Sequence, residues 1–105
     1  MQKLTNKEEE LMQHFWAHGA MFVRDVVLLY DDPKPHFNTI STMVRTLESK
    51  GFLSHEAFGN TYRYLPIISQ EEFSKGVLGN VVTRYFENSY KQAVSALIEE
   101  EKISI

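Results

Sequence analysis

The chain has 105 residues, of which 43% are hydrophobic, so its length and composition suit one packed domain with a short appendage. It has no cysteine, which excludes disulfides, zinc fingers and thiolate metal sites and suits a reducing compartment. The N-terminus is polar and acidic, unlike a signal peptide, and no apolar run approaches the roughly 20 residues that cross a bilayer. We therefore expect a cytoplasmic protein with no membrane insertion.

The net charge of −3 argues at first against a nucleic-acid partner. Its distribution points the other way, because residues 34–64 carry four basic and two acidic side chains, whereas residues 1–33 and 65–105 are both net acidic. Contact with phosphate depends on local charge more than on the total. Residues 34–64 are thus the part of the chain that best suits DNA.

The first elements are indicated by capping and breaking residues. Thr5 and Glu8 have the spacing of a capping box, and the helix that they begin should end near Gly19. Residues 22–23 predict either a short strand or the entry to a second helix, and the prolines within residues 33–35 must end any such helix.

A third helix is predicted over residues 37–50, followed by a β-hairpin. Apolar side chains recur there at i, i+3, i+4 and i+7, namely Ile40, Met43, Val44 and Leu47. Gly51 should end the helix, and Gly59-Asn60 should form a two-residue turn between strands at residues 52–58 and 61–65.

The other face of this third helix is polar and almost uncharged. Its candidate DNA-binding residues are Asn38, Thr39, Ser41, Thr42 and Arg45. Serine, threonine and asparagine are mediocre helix formers, but their hydroxyl and amide groups, like a guanidinium, can hydrogen-bond to base edges in a major groove. The alternatives are ordinary surface threonines and an Asn38 that only caps the helix. On the hairpin, Asn60 and Arg63 are candidate phosphate contacts, unless Arg63 instead pairs with Glu56 across the strands.

Residues 67–105 carry a broad apolar stripe on a segment too short to fold alone. A second capping-box pattern begins at Ser69, and a break is expected near Asn88-Ser89. The stripe comprises Phe73, Val77, Leu78, Val81, Val82, Tyr85, Phe86, Val94 and Leu97. Chains below about 40 residues rarely enclose a core without disulfides, metals or oligomerisation. The stripe must fold back on residues 1–66 or pack against a second copy, and we favour a homodimer.

Catalytic and metal chemistry have little support. His14 and His18 have the i, i+4 spacing of zinc ligands, but no third ligand is evident, so we expect no metal site and no cofactor. There is no grouping of a nucleophile with a base, no phosphate loop and no paired carboxylate in a supporting context. The sequence does not predict an enzyme.

Four segments together resemble the penicillinase-repressor family of winged-helix regulators, the BlaI/MecI/CopY group. They are LTNKEEELMQHFW at residues 4–16, VRDVV at 23–27, NTISTMVRTLESKG at 38–51, and Phe58-Gly59 with Tyr64-x-Pro66. The third is similar to the family's recognition helix, usually Thr-Thr-Val-x-Thr-Leu-Leu-x-Arg-Leu-x-x-Lys-Gly. Several anchors in the right order carry the resemblance over about residues 4–66.

The resemblance implies a mainly α fold with a small β-wing. A winged helix-turn-helix DNA-binding domain would occupy residues 1–66 and a helical dimerisation region residues 67–105. The implied function is a dimeric, sequence-specific repressor that binds a pseudo-palindromic operator in double-stranded DNA through the helix at 37–50. The resemblance also implies a membrane-bound sensor protease, which triggers cleavage in the dimerisation region and so releases the DNA.

Two departures from the family pattern remove positive charge. The family's recognition-helix arginine is Thr46 here, with Arg45 one place earlier, and its wing Gly-Arg is Gly59-Asn60. The alternative function is therefore a winged-helix protein-interaction module without DNA binding. A metal-responsive regulator is a second alternative, which the lack of cysteine disfavours.

Overall fold

The computed structural model describes residues 2–101, which contain five helices and three strands. The elements are α1 Asn6–His18, β1 Met21–Phe22, α2 Val23–Val27, α3 Phe37–Ser49, β2 Leu53–Phe58, β3 Thr61–Pro66, α4 Gln70–Tyr85 and α5 Tyr90–Glu101. The strands form one antiparallel sheet in the order β1-β3-β2. The chain divides into a first compact unit up to Gln70 and a second from Glu71.

Helix α1 has the predicted capping box. The Glu8 N–H donates to Thr5 Oγ1 at 3.1 Å, and the Thr5 N–H donates to Glu8 Oε1 at 2.8 Å. The helix ends at Gly19, which has a positive φ of 79° and donates its N–H to the Phe15 carbonyl. Its buried apolar side chains are Leu11, Met12 and Phe15.

Both alternatives for residues 22–23 occur, one after the other. Met21 and Phe22 form the edge strand β1 by pairing with Tyr64 and Arg63, and Val23 then begins α2. Helix α2 has only five residues, although the apolar sequence continues to Tyr30.

Helix α3 matches its prediction within one residue at its C-terminus. Ile40, Val44 and Leu47 are buried, Met43 is half-buried, and Gly51 follows the helix with a positive φ of 84°. The N-cap is His36, whose Nδ1 accepts from the Asn38 N–H at 3.1 Å. The capping alternative for Asn38 was therefore wrong, because that residue already lies inside the helix.

The hairpin has the predicted two-residue turn. Phe58 pairs with Thr61, and Gly59 between them has a positive φ of 58°, a conformation that favours glycine. Pairing extends through Pro66, opposite Leu53, one residue beyond the predicted strand.

In the second unit, the predicted break near residues 88–89 is confirmed. Helix α4 ends at Tyr85, the next turn has positive φ at Glu87 and Asn88, and α5 begins at Tyr90. The Asn88 N–H donates to the Val82 carbonyl at 3.1 Å, which closes the end of α4. The two helices leave many apolar side chains in contact with solvent: Val77, Leu78, Val81, Tyr85, Tyr90, Val94, Leu97 and Ile98.

Candidate nucleic-acid interface

The polar residues of α3 lie opposite its buried stripe. Asn38, Thr39, Thr42 and Arg45 are exposed, whereas Ser41 is half-buried. One helix of 13 residues thus presents hydroxyls, an amide and a guanidinium to solvent from a backbone fixed by the core. We refer to these five residues as the reading face.

Local hydrogen bonds orient the centre of the reading face. The Thr42 hydroxyl donates to the Asn38 carbonyl at 3.0 Å, and Arg45 Nη2 lies 3.5 Å from the same hydroxyl oxygen. The only proton of that hydroxyl is therefore used within the helix, so Thr42 offers outward an acceptor lone pair and a methyl group. These groups suit an amino group of cytosine or adenine and a thymine methyl. Thr46 turns its hydroxyl back onto the Thr42 carbonyl at 3.1 Å.

A charged pair ties the C-terminus of α3 to the start of α1. Lys50 Nζ lies 2.7 Å from Glu8 Oε1, and it also donates to the Lys3 carbonyl at 3.2 Å. Burial opposes ionisation of Glu8, but hydrogen bonds from Lys50 and Thr5 outweigh it and lower the pKa of the carboxyl. The pair fixes one end of the helix that carries the reading face.

A second contact joins α3 to the hairpin. His55 Nδ1 on β2 lies 2.7 Å from Glu48 Oε2, and the His55 ring lies beside Tyr62 with ring centres 4.4 Å apart. Burial raises the pKa of neighbouring Tyr64 on β3. The hairpin is therefore held against the helix rather than free at its base.

Arg63 pairs with Glu56 across the hairpin, as one of the two alternatives predicted. The two residues are directly opposite in register, with Nη2 3.3 Å from Oε1, and the guanidinium lies 4.8 Å from the centre of the Phe58 ring. Asn60 is exposed at the tip of the turn. Phosphate contact by Arg63 and Asn60 stays a prediction, and Arg63 would make it while already partly neutralised.

A groove with a volume of about 300 Å³ lies between α2, α3 and the hairpin, and we call it the wing groove. It is lined by Phe22, Val23, Arg24, Phe37, Ser41, Arg45, Asn60, Thr61, Tyr62 and Tyr64. Two of these residues, Ser41 and Arg45, belong also to the reading face. Sequence reasoning missed Arg24, because the direction of a side chain on a five-residue helix follows from packing and not from periodicity.

The residues predicted for dimerisation differ in their exposure. Val77, Leu78, Val81, Tyr85, Val94 and Leu97 are exposed in the single chain, and Phe73 and Phe86 are half-buried. Val82 is only 1% exposed, so its side chain is already covered without a second copy. A dimer contact by Val82 stays a prediction, and its burial in the single chain gives it no support.

The histidines considered as metal ligands have another environment. The His14 ring lies beside the Tyr30 ring, with ring centres 4.6 Å apart and the planes tilted by 54°. Burial lowers the pKa of His14 and raises the pKa of Tyr30 to about 12. Within residues 2–101 there is no group of three or more histidine, cysteine or carboxylate side chains placed to hold a metal ion.

A helix with a polar outer face, preceded by two helices, packed against the second of them and followed by a two-stranded hairpin, defines a winged helix-turn-helix protein. The sequence model of the penicillinase repressor family matches residues 4–105, and the chain belongs to that family. The predicted family and the mainly α fold with a small β-wing are thus confirmed.

Similar individual proteins include a repressor domain and a bacterial protein. The DNA-binding domain of the repressor BlaI, solved in solution, is 28% identical with a TM-score of 0.58, over 69% of this chain and 93% of that domain. A 16.5 kDa protein encoded in the ptsI 3′ region of Latilactobacillus sakei is 27% identical over 104 residues, which are 97% of this chain and 70% of that protein. Family and fold together support a DNA-binding repressor, and the family is not one of enzymes. Among residues 2–101, no helix is long and apolar enough to span a bilayer.

Proposed function

We propose that this chain is a dimeric transcriptional repressor that reads its operator with α3 in the major groove. The observation that carries this proposal is the reading face, a set of uncharged polar groups and one arginine on a helix whose other side is buried. Small polar groups on such a face fit base edges better than they serve solubility. Membership of a repressor family supports the same function.

The residues of the reading face would contact different groups of the DNA. Arg45 is the side chain with the reach and paired donors to bond guanine, and Thr42 offers an acceptor and a methyl to a neighbouring base. Asn38, Thr39 and Ser41 complete the face toward the N-terminal end of α3, which is the end that usually contacts bases. Phosphates beside the groove would be contacted from the wing by Asn60 and Arg63.

Dimerisation would come from the second unit. Its two helices leave an exposed apolar surface that includes Val81, Tyr85 and Leu97, the last two more than 60% exposed. So many exposed large apolar side chains on two helices favour an interaction site. A second copy supplies the same surface, and two recognition helices about 34–36 Å apart would match half-sites one helical turn apart.

Release would follow from proteolysis in residues 67–105, as the family resemblance implies through a membrane-bound sensor protease. The physical basis is effective concentration. A dimer holds its second recognition helix beside the second half-site, and this gain is lost when the two copies separate. Each separated domain retains only half of the contacts.

The first test is binding to the duplex upstream of the chain's own gene, by gel shift at two salt concentrations with a scrambled duplex as control. We expect a specific complex that weakens as salt rises, because phosphate contacts release counterions. Sedimentation should give about twice the monomer mass of 12.2 kDa at micromolar concentration. Equal, weak binding to both duplexes would favour the protein-interaction module, which the net charge of −3 also suits.

A further inference from the structure

We propose that Arg24, on α2, is a DNA-backbone contact that holds one operator phosphate in the wing groove. This inference rests on the proposed function and deepens it. It adds to the interface a residue that belongs neither to the reading face nor to the hairpin.

The wing groove is continuous with the surface already assigned to DNA. Arg45 and Ser41 line it from α3, Asn60 and Tyr62 line it from the hairpin, and Arg24 lines it from α2. A strand whose bases meet the reading face must carry its phosphates past the side of α3 that the groove occupies. Half to two-thirds of protein–DNA hydrogen bonds go to such phosphates and sugars.

The charges of the groove are unbalanced. No lining residue is acidic, and neither Arg24 nor Arg45 forms an ion pair with any residue between 2 and 100. Three other cations of the first unit have acidic partners: Lys34 lies 3.9 Å from Asp32, Lys50 lies 2.7 Å from Glu8, and Arg63 lies 3.3 Å from Glu56. Two guanidiniums that share one concave surface without a carboxylate favour an anion there.

The other lining groups fit a nucleotide backbone better than a free inorganic anion. Phe37 and Tyr62 are both about half exposed, at 51% and 52%, and present apolar ring surface toward the solvent. Asn60 and Thr61 supply neutral hydrogen-bonding groups at the turn. Apolar surface beside cations suits a deoxyribose beside its phosphate, whereas a small anion needs only the cations and polar groups.

The test is a salt titration of affinity with Arg24→Gln, Arg24→Lys and the control Lys7→Gln, each on the operator and on a scrambled duplex. Lys7 is exposed on α1, outside the groove, and forms no ion pair with the described residues, so the control removes the same charge elsewhere. Each phosphate contact contributes about 0.9 to the slope of log affinity against log salt. Arg24→Gln should therefore flatten the slope by about two units for a dimer, and lower operator and scrambled affinity alike. Arg24→Lys should keep the slope.

Three results would overturn the inference while leaving the proposed function intact, provided that the unmodified protein binds its operator specifically. These are an unchanged slope for Arg24→Gln, an equal change for Lys7→Gln, and a loss confined to the operator. Failure of the unmodified protein to prefer its operator would instead refute the proposed function, and the Arg24 contact with it. Because Arg24 is exposed, the Arg24→Gln variant should melt within a degree or two of the unmodified protein, which separates loss of binding from loss of fold.

Discussion

Replacing Lys50 with methionine should destabilise the first unit, because it leaves the Glu8 carboxylate buried without its partner. The Glu8 side chain is 8% exposed and that of Lys50 21% exposed. Breaking a fully buried pair costs roughly 3–5 kcal/mol. Here Lys50 is partly exposed and Glu8 keeps its hydrogen bond from the Thr5 N–H, and both reduce the cost. We therefore expect the free energy of unfolding to fall by about 2–3 kcal/mol at pH 7.

Urea unfolding followed by tryptophan fluorescence measures this change directly. Trp16 is the chain's one tryptophan and donates from Nε1 to the Ile68 carbonyl at 2.8 Å, so it reports on the first unit. The matched control is Lys7→Met, which removes an exposed lysine of the same unit that has no ion pair among the described residues, and it should cost less than about 0.5 kcal/mol. The double variant Glu8→Gln, Lys50→Met should be more stable than Lys50→Met, because it leaves no buried charge.

The same pair predicts a pH dependence. Burial opposes the charged form of Glu8, but the hydrogen bonds prevail and lower its folded pKa below the ordinary value of 4.5. Its contribution is therefore fully present above about pH 4.5 and is lost as the pH falls through the folded pKa. Without Lys50, burial opposes the charged form of Glu8, so protonation of Glu8 should relieve part of the loss in the variant. The stability gap between the unmodified protein and Lys50→Met should therefore be widest near pH 7 and should narrow as the pH falls. A gap at pH 7 no larger than the cost of Lys7→Met, or one that does not narrow as the pH falls below 4.5, would refute the reasoning.

Three further substitutions test the core, the dimer and the reading face. Leu47→Ala should cost about 2–5 kcal/mol in urea unfolding, because Leu47 is fully buried on α3, and a smaller cost would mean that the stripe is poorly packed. Val81→Asp should shift sedimentation toward the monomer, because it places a charge in the proposed interface. Thr83 is exposed on another face of α4, so Thr83→Asp should leave the dimer intact. Equal sedimentation of the two variants would argue against this interface. Thr42→Ala should lower operator affinity less than Arg45→Ala does, and should mainly reduce discrimination at one base step, with thermal stability nearly unchanged. A similar loss of affinity on all duplexes would contradict base contact by Thr42.

The sequence predicts local elements well where a repeat or a turn residue specifies them. The stripe of α3 needs only its own spacing, and Gly51 and Gly59 mark positive φ positions that other residues rarely adopt. The capping box at Thr5 is also local, since both of its hydrogen bonds join residues three apart. Such signals require no knowledge of the rest of the fold.

The features that the sequence did not predict depend on distant partners. Strand β1 has two residues, too few for a periodic pattern, so the sequence offered a strand there only as one of two alternatives; it forms by pairing with β3 some 40 residues later. The pair of Glu8 with Lys50 spans 42 residues. Arg24 is one cation in an acidic segment, and its place in the wing groove follows from how α2 packs. His36, and not Asn38, caps α3, because its ring nitrogen accepts the Asn38 N–H, although histidine is not among the usual N-caps.

The central claim is that α3 reads bases, and the Arg45→Ala variant tests it most directly. Affinity should be measured on the operator and on a scrambled duplex at two salt concentrations, with Arg63→Ala as the comparison. If Arg45 bonds a guanine, Arg45→Ala should lose about 1–3 kcal/mol on the operator and much less on the scrambled duplex, so that the preference falls roughly 5- to 150-fold. Arg63→Ala should weaken binding to both duplexes alike and leave the preference for the operator unchanged. An Arg45→Ala variant that loses the same affinity on both duplexes would show that Arg45 contacts only phosphate, and would contradict the assignment of the reading face.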